Sequence, residues 1–169
     1  MFEDEAVFHR VCSELTAAIS GILIAKGATA ATAESLTGGL IASEIVSVPG
    51  VSKWFLEGAV TYSNCAKASR LLCDPSIIER HTAVSRPVAK MMAEGMRKTS
   101  GADIAVSTTG LAGPGKDELG RDAGLVFIGG STSKGFVTRE LNLSGSRTEI
   151  RRQAVYEALK LLYKLAKTI

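Results

Sequence analysis

The sequence predicts an α/β fold: a single domain with a mixed β-sheet flanked by helices and a long C-terminal helix. Three observations predict it. Helical and strand-like patterns alternate through the first two thirds of the chain. Two later strand-like segments, "LVFIGGSTS" and "GFVTRELNLS", meet across the short turn "SKG", so a hairpin adds antiparallel strands to the sheet. No repeat, linker or low-complexity segment interrupts the 169 residues, which suits one domain over 1–169.

Residues 5–26 carry Val7, Val11, Leu15, Ile19 and Leu23 at near-helical spacing, and Gly27 stops that helix. "ATAATA" (28–33) is small and partly β-branched, which predicts a buried strand. "GGLIASEIV" predicts a helix ending before Pro49-Gly50. "FLEGAVTYS" (55–63) reads as a strand, and "NCAKASRLL" as a helix with Asn64 as its cap. "RPVAKMMAEGMRKTSG" reads as a helix with Pro87 in its first turn, Ser85 before it and Gly101 after it. "ADIAVSTTG" is a strand that runs into the only long Gly-rich loop, "LAGPGKDELGRDAG". The closing segment "SRTEIRRQAVYEALKLLYKLAKTI" is an amphipathic helix with Ile150, Ala154, Ala158 and Leu162 on one stripe.

Composition narrows the function. Apolar residues make up 46% and charged residues 22%, a globular balance. The net charge of +3 is spread along the chain, with one doublet at Arg151-Arg152, so it does not point to nucleic acid. The acidic start "MFEDEAVF" differs from the basic start of a signal peptide. The run "AAISGILIA" is too short and too polar at its edges to span a membrane. Cys12, Cys65 and Cys73 lack paired spacing and read as reduced thiols, which predicts a cytoplasmic protein. His9 and His81 have no ligand-like neighbours, so neither a zinc site nor a His-based serine triad is expected.

Three Ser/Thr/Gly-rich segments follow predicted strands: "ESLTGG" (34–39), "TYSNCAK" (61–67) and "STTGLAGPG" (107–115). In α/β sheets such strand ends converge on one edge, where ligands bind. Ser35 and Thr37 precede a helix near Gly38-Gly39. They suit an anion site or plain N-capping equally well. Lys67 sits about one turn into its helix. It is either a surface lysine or, in a dry pocket, a base for a serine that has no histidine. Thr108, Thr109 and the glycines of the third segment resemble an anion cradle. Arg147 and Arg151 stand at i, i+4, either holding a phosphate or solvated. Glu34 is an orienting carboxylate or a general acid. Trp54, Phe55 and Tyr62 read as core or wall.

Taken together, "TAESLTGGLIASEIVSVPGVSKWFLEGAVTYSNCAK" and "VSTTGLAGPG" resemble the CinA C-terminal domain family, the nicotinamide-nucleotide amidohydrolases. The resemblance covers about residues 8–165. It rests on AES-x-TGG, on P-G…WF…G-x-VTYSN-x-x-K and on S-x-x-G-x-AGP, in that order. It implies hydrolysis of nicotinamide mononucleotide to nicotinic acid mononucleotide and ammonia, a step in pyridine nucleotide recycling, with neither metal nor cofactor. It places a nucleophile at Ser35, with Tyr62 and Lys67 activating it. It places amides near the reacting carbonyl at Thr37, Gly38 and Gly39. Gly110, Ala112, Gly113 and Pro114, beside Thr109, would line the nucleotide pocket, with Arg147 or Arg151 available to the phosphate. A homodimer is implied, for which the apolar-striped terminal helix is the only sequence support.

The sequence also departs from the family. Leu36 stands where the motif usually has Cys. "GKDELGRDAG" carries Asp122-Ala123-Gly124 where Pro-Val-Gly is expected. Many relatives carry an N-terminal pyrophosphatase-like domain, and this chain reads as the free-standing form. The altered loop keeps a second class of function in view: a non-catalytic nucleotide-binding module, or a regulatory one linked to competence and DNA damage.

Overall fold

The computed structural model describes residues 2–169. Helix α1 (Glu5–Lys26) opens the chain. Asp4 caps it by accepting from the Ala6 and Val7 amides, and Gly27 ends it in the left-handed conformation. Its buried face is Phe8, Cys12, Thr16, Ile19 and Leu23, so the stripe is rotated from the predicted one, and Val7, Val11 and Leu15 lie on its half-buried flank. α1 is 22 residues long and contains an 18-residue stretch of mean hydropathy 1.4, long and apolar enough by length and composition to cross a membrane. The short run "AAISGILIA" understated it because the helix extends that run on both sides. In this fold the stripe packs on other helices of the same chain.

The remaining elements are β1 (Ala30–Glu34), α2 (Leu40–Val46), β2 (Phe55–Val60), α3 (Asn64–Leu71), α4 (Pro75–His81), α5 (Arg86–Ser100), β3 (Ile104–Gly110), β4 (Leu125–Thr132), β5 (Gly135–Asn142) and α6 (Arg147–Thr168). The sheet order is β2-β1-β3-β4-β5. β1 pairs in parallel with both β2 and β3, and the β3–β4 and β4–β5 pairs are antiparallel. The sheet is therefore mixed, as the alternation and the hairpin predict.

Three local readings change. α4, capped by Asp74 with Pro75 at its start, was absent from the sequence reading. α3 is capped by Ser63, not Asn64. Ser63 is extended and its hydroxyl accepts from the Ala66 amide, which makes Asn64 the first helical residue. β2 stops at Val60, so Thr61, Tyr62 and Ser63 form a connection rather than the end of the strand.

Strand side chains alternate between two cores. Ala30, Ile104, Val106, Val126 and Ile128 face α1, α2 and α6. Ala31, Ala33 and Ala105 face α3, α4 and α5. The second face is lined by small residues, so α5 approaches closely. A Cβ at Gly129 would meet the Ala89 carbonyl at 2.3 Å, and the Ser107 hydroxyl bonds that carbonyl at 2.6 Å. The apolar stripe of α6 is wider than predicted, adding Val155, Leu159, Leu161 and Ala166, and it packs on α1, β3 and β4. The stripe offered as support for a dimer is thus buried within its own chain.

This topology positions the site. β2 and β3 lie on opposite sides of β1, so the chain leaves β1 at the point where strand order reverses. The crevice at the carboxyl ends of parallel strands opens there. The connections after β1, β2 and β3 all emerge at that edge.

Candidate active site

Ser35 follows β1 directly. Its amide bonds the Thr108 carbonyl at 3.0 Å, tying the turn to the end of β3. Gly38 and Gly39 adopt φ of +61° and +91°, a left-handed pair that turns the chain into α2. Glu34 is fully buried, and its carboxylate accepts from the amides of Gly39 (3.0 Å), Ile41 (3.1 Å) and Ala42 (2.9 Å). An acidic group at a helix start is favoured by the helix dipole. Glu34 is therefore the cap of α2, facing its own turn rather than a ligand.

The same network revises the expected amides. Gly39 N–H is taken by Glu34, and Gly38 N–H bonds the Ser35 carbonyl at 3.1 Å. The amides of this turn that make no hydrogen bond among the described residues are those of Leu36 and Thr37. The Thr37 hydroxyl meets the Thr108 hydroxyl at 2.8 Å, both buried.

Lys67 is the largest departure from a surface reading. It is fully buried, and Nζ donates to Ser35 Oγ (3.2 Å), the Thr61 carbonyl (2.8 Å) and the Tyr62 carbonyl (3.1 Å). Burial pushes its pKa below the ordinary lysine value. The neighbouring Cys73 thiol is itself pushed up to about 11 by burial, so it is uncharged at neutral pH. A neutral lysine has two N–H bonds and one lone pair. With the two carbonyls taking the hydrogens, the lone pair faces the Ser35 hydroxyl. That is the arrangement a general base for serine requires.

Tyr62 is linked to this pair through its carbonyl. Its side chain is 66% exposed, and its phenol makes no hydrogen bond among the described residues. Among those residues, no three His, Cys, Asp or Glu side chains cluster as metal ligands would. A serine and a buried lysine, meeting at the switch point of this sheet, occur within a chain whose residues 12–166 match the family model described as the CinA C-terminal domain.

The chain belongs to the CinA C-terminal domain family.

A Clostridium botulinum (strain Langeland) protein named for competence-damage induction is 47% identical over 150 residues. The match covers 89% of this chain and 37% of that protein, so the chain spans little more than a third of that relative's length. Among solved structures, a CinA superfamily protein from Klebsiella pneumoniae superposes with a TM-score of 0.89 at 31% identity, covering 94% of this chain and 99% of that one. The competence/damage inducible protein CihA from Agrobacterium tumefaciens gives 0.88 at 36%, covering 92% and 95%.

This CinA domain has a cavity of about 230 Å³ lined by Tyr62, whose carbonyl holds Lys67, by the 110–117 loop and by Arg147. Gly110, Ala112, Gly113, Pro114 and Arg147, expected at a nucleotide pocket, are among its lining residues, and so is Tyr62, expected as an activating residue. Arg147 Nη1 donates to the Gly113 carbonyl at 2.6 Å. Two others are occupied elsewhere. The Thr109 hydroxyl donates to the Ala83 carbonyl at 2.7 Å, and Arg151 reaches the Ser35 turn: Nε bonds the Leu36 carbonyl (3.0 Å) and Nη2 the Thr37 carbonyl (2.7 Å). Arg147 and Arg151 share a helix face but not a target.

The CinA site also uses groups that the sequence reading passed over. Lys116 lines the cavity, and its position just after the glycines of "AGPG" was the one available signal. The divergent loop is well braced: Lys116 bridges to Asp122, and Arg121 pairs with Asp117 and donates to the Val84 carbonyl at 2.8 Å. The Thr61 and Tyr62 carbonyls had no signal, because backbone acceptors carry no sequence mark.

Proposed function

We propose that the chain is a metal-independent amidohydrolase that deamidates nicotinamide mononucleotide to nicotinic acid mononucleotide and ammonia. The observation that carries this is the buried contact of 3.2 Å between Lys67 Nζ and Ser35 Oγ. In this reading neutral Lys67 takes the Ser35 proton as Oγ adds to the carboxamide carbon. The resulting oxyanion is held by backbone amides of the Ser35 turn, each well-placed donor contributing about 3 kcal/mol. Lys67 returns the proton to the amide nitrogen, ammonia leaves, and an ester remains on Ser35. Water, giving a proton to Lys67, adds to that ester; as the bond to Ser35 breaks, Lys67 passes the proton to Oγ, which releases the acid and restores both groups.

The nucleotide belongs in the cavity lined by the 110–117 loop, where Arg147, which keeps donors beyond the one on the Gly113 carbonyl, supplies positive charge for a phosphate; Lys116 also lines the cavity but is paired with Asp122. Tyr62, exposed at the rim, serves as a wall for the substrate in this scheme. Arg151 does not line this cavity, and its Nε and Nη2 hold the carbonyls of the Ser35 turn.

Ammonia release from nicotinamide mononucleotide by the purified chain tests the proposal, with Ser35→Ala and Lys67→Met as controls. Release by the wild type that both substitutions abolish is the expected result. A folded wild type that binds the nucleotide without releasing ammonia would support the non-catalytic binding module instead.

A further inference from the structure

We propose that Arg151 is a positioning residue: it aims and polarises the Thr37 backbone amide, which with the Leu36 amide receives the oxyanion formed at Ser35. This rests on the serine-amidohydrolase reading. Four amides of the Ser35 turn are already occupied. The amide of Ser35 bonds the Thr108 carbonyl, that of Gly38 the Ser35 carbonyl, that of Gly39 the Glu34 carboxylate and that of Leu40 the Thr37 carbonyl. Leu36 and Thr37, both buried residues, keep amides with no acceptor among the described residues. Buried backbone donors are nearly always paired, so two adjacent ones beside a nucleophile are suited to an anion that arises during reaction.

Arg151 determines where one of them points. Its Nε holds the Leu36 carbonyl at 3.0 Å, and that carbonyl belongs to the peptide unit whose N–H is Thr37's. In a planar trans peptide the N–H lies opposite the C=O. Anchoring the carbonyl on the α6 side therefore turns the Thr37 N–H away from α6. A cation on the carbonyl also strengthens the N–H of the same unit as a donor. Nη2 holds the next carbonyl, that of Thr37, at 2.7 Å, so one planar fork fixes two successive peptide units. Gly38 admits the guanidinium: a Cβ there would stand 3.3 Å from Nη2, at a φ of +61°. On the other side of the turn Glu34 holds the Gly39 amide, so the turn is braced at both ends.

The test compares wild type with Arg151→Met, Arg151→Lys and Arg151→Ala by two measurements. One is kcat and KM for nicotinamide mononucleotide across pH. The other is the rate at which a fluorophosphonate labels Ser35, forming an O–P bond as fluoride leaves and the serine proton passes to Lys67. Labelling needs the same turn but no nucleotide site. In Arg151→Met both kcat and labelling are expected to fall about 10- to 100-fold, less than the effect of deleting a donor outright. KM stays within about twofold and the pH limb does not move. Arg151→Lys is intermediate, and methylguanidinium restores part of the rate to Arg151→Ala.

Unchanged kcat and labelling would overturn the proposal. So would a raised KM at constant kcat, which would make Arg151 a substrate ligand, or a displaced pH limb, which would mean that it acts on Lys67. A wild type that is labelled but releases no ammonia refutes the substrate reading alone, and the labelling ratio still decides the role of Arg151. A wild type whose Ser35 takes no label refutes both.

Discussion

Lys67 Nζ and Ser35 Oγ lie 3.2 Å apart in the interior, although 32 positions separate them in the chain. The lysine is brought there by two constraints that have nothing to do with serine. Ser63 starts α3 one turn before it, and the parallel pairing of β2 with β1 brings that start beside the Ser35 turn. The Thr61 and Tyr62 carbonyls then hold the amine.

The first prediction concerns additivity. Ser35 and Lys67 act in one proton transfer, so removing either removes most of what both supply. Ser35→Ala, Lys67→Met and the double variant are expected to lose ammonia release by a similar factor, at least about a thousandfold each. Single-variant losses that multiply in the double variant would show that the two side chains work independently.

The second concerns pH. Burial lowers the Lys67 pKa, and the base must be neutral. The rate, kcat/KM, is therefore expected to rise with pH along a limb lying below the ordinary lysine value of 10.5. Stability follows with the same sign. Between the lowered folded value and 10.5 the unfolded chain holds the extra proton, so the lysine's contribution to stability grows as pH rises through that window. Lys67→Met should remove that growth in denaturant titrations. A rate limb at or above 10.5 would contradict the assignment.

The third concerns the support beneath Lys67. A Cβ on Gly95 of α5 would meet the Leu71 carbonyl oxygen at 1.7 Å, and Leu71 is the last residue of α3. One of the two helices must move. Gly95→Ala is expected to destabilise the fold by about 3 kcal/mol, read from the shift in denaturation midpoint. A loss below about 0.5 kcal/mol would mean that the helices separate freely.

The fourth uses His9. Its pKa is raised above 6.5, chiefly by the hydrogen bond to the buried Glu44 carboxylate at 2.8 Å, with Glu5 adding to it. The protonated form is favoured by folding, so this contribution is complete below pH 6.5 and is lost as pH rises through the folded value. Wild type should exceed His9→Gln in stability by more at pH 5.5 than at pH 8.5. Equal differences at both values would show that the contact carries no proton-linked stability.

Much of this was legible in the chain because its signals are local. The Gly27 and Gly101 stops, Pro87 in the first turn of α5, and the 125–142 hairpin are each set by residues within a few positions of one another. α4 escaped because "PSIIERH" is only seven residues, too short for its period to stand out. Asn64 was preferred to Ser63 because both are good caps and the end of β2 falls at Val60, not at Ser63.

The sequence by itself determined the order of elements, the three polar connections at one sheet edge, and the motifs that mark the family. Each depends on short-range periodicity or on a run of residue types. Only the tertiary structure decided which groups meet: that Lys67 is buried against Ser35 and two carbonyls, that Glu34 caps α2, and that Arg151 holds the Ser35 turn while Arg147, one turn earlier, lines the cavity. Those contacts depend on how α3 and α6 are set against the sheet. That register is a balance of packing over both cores, which no single stretch of sequence encodes.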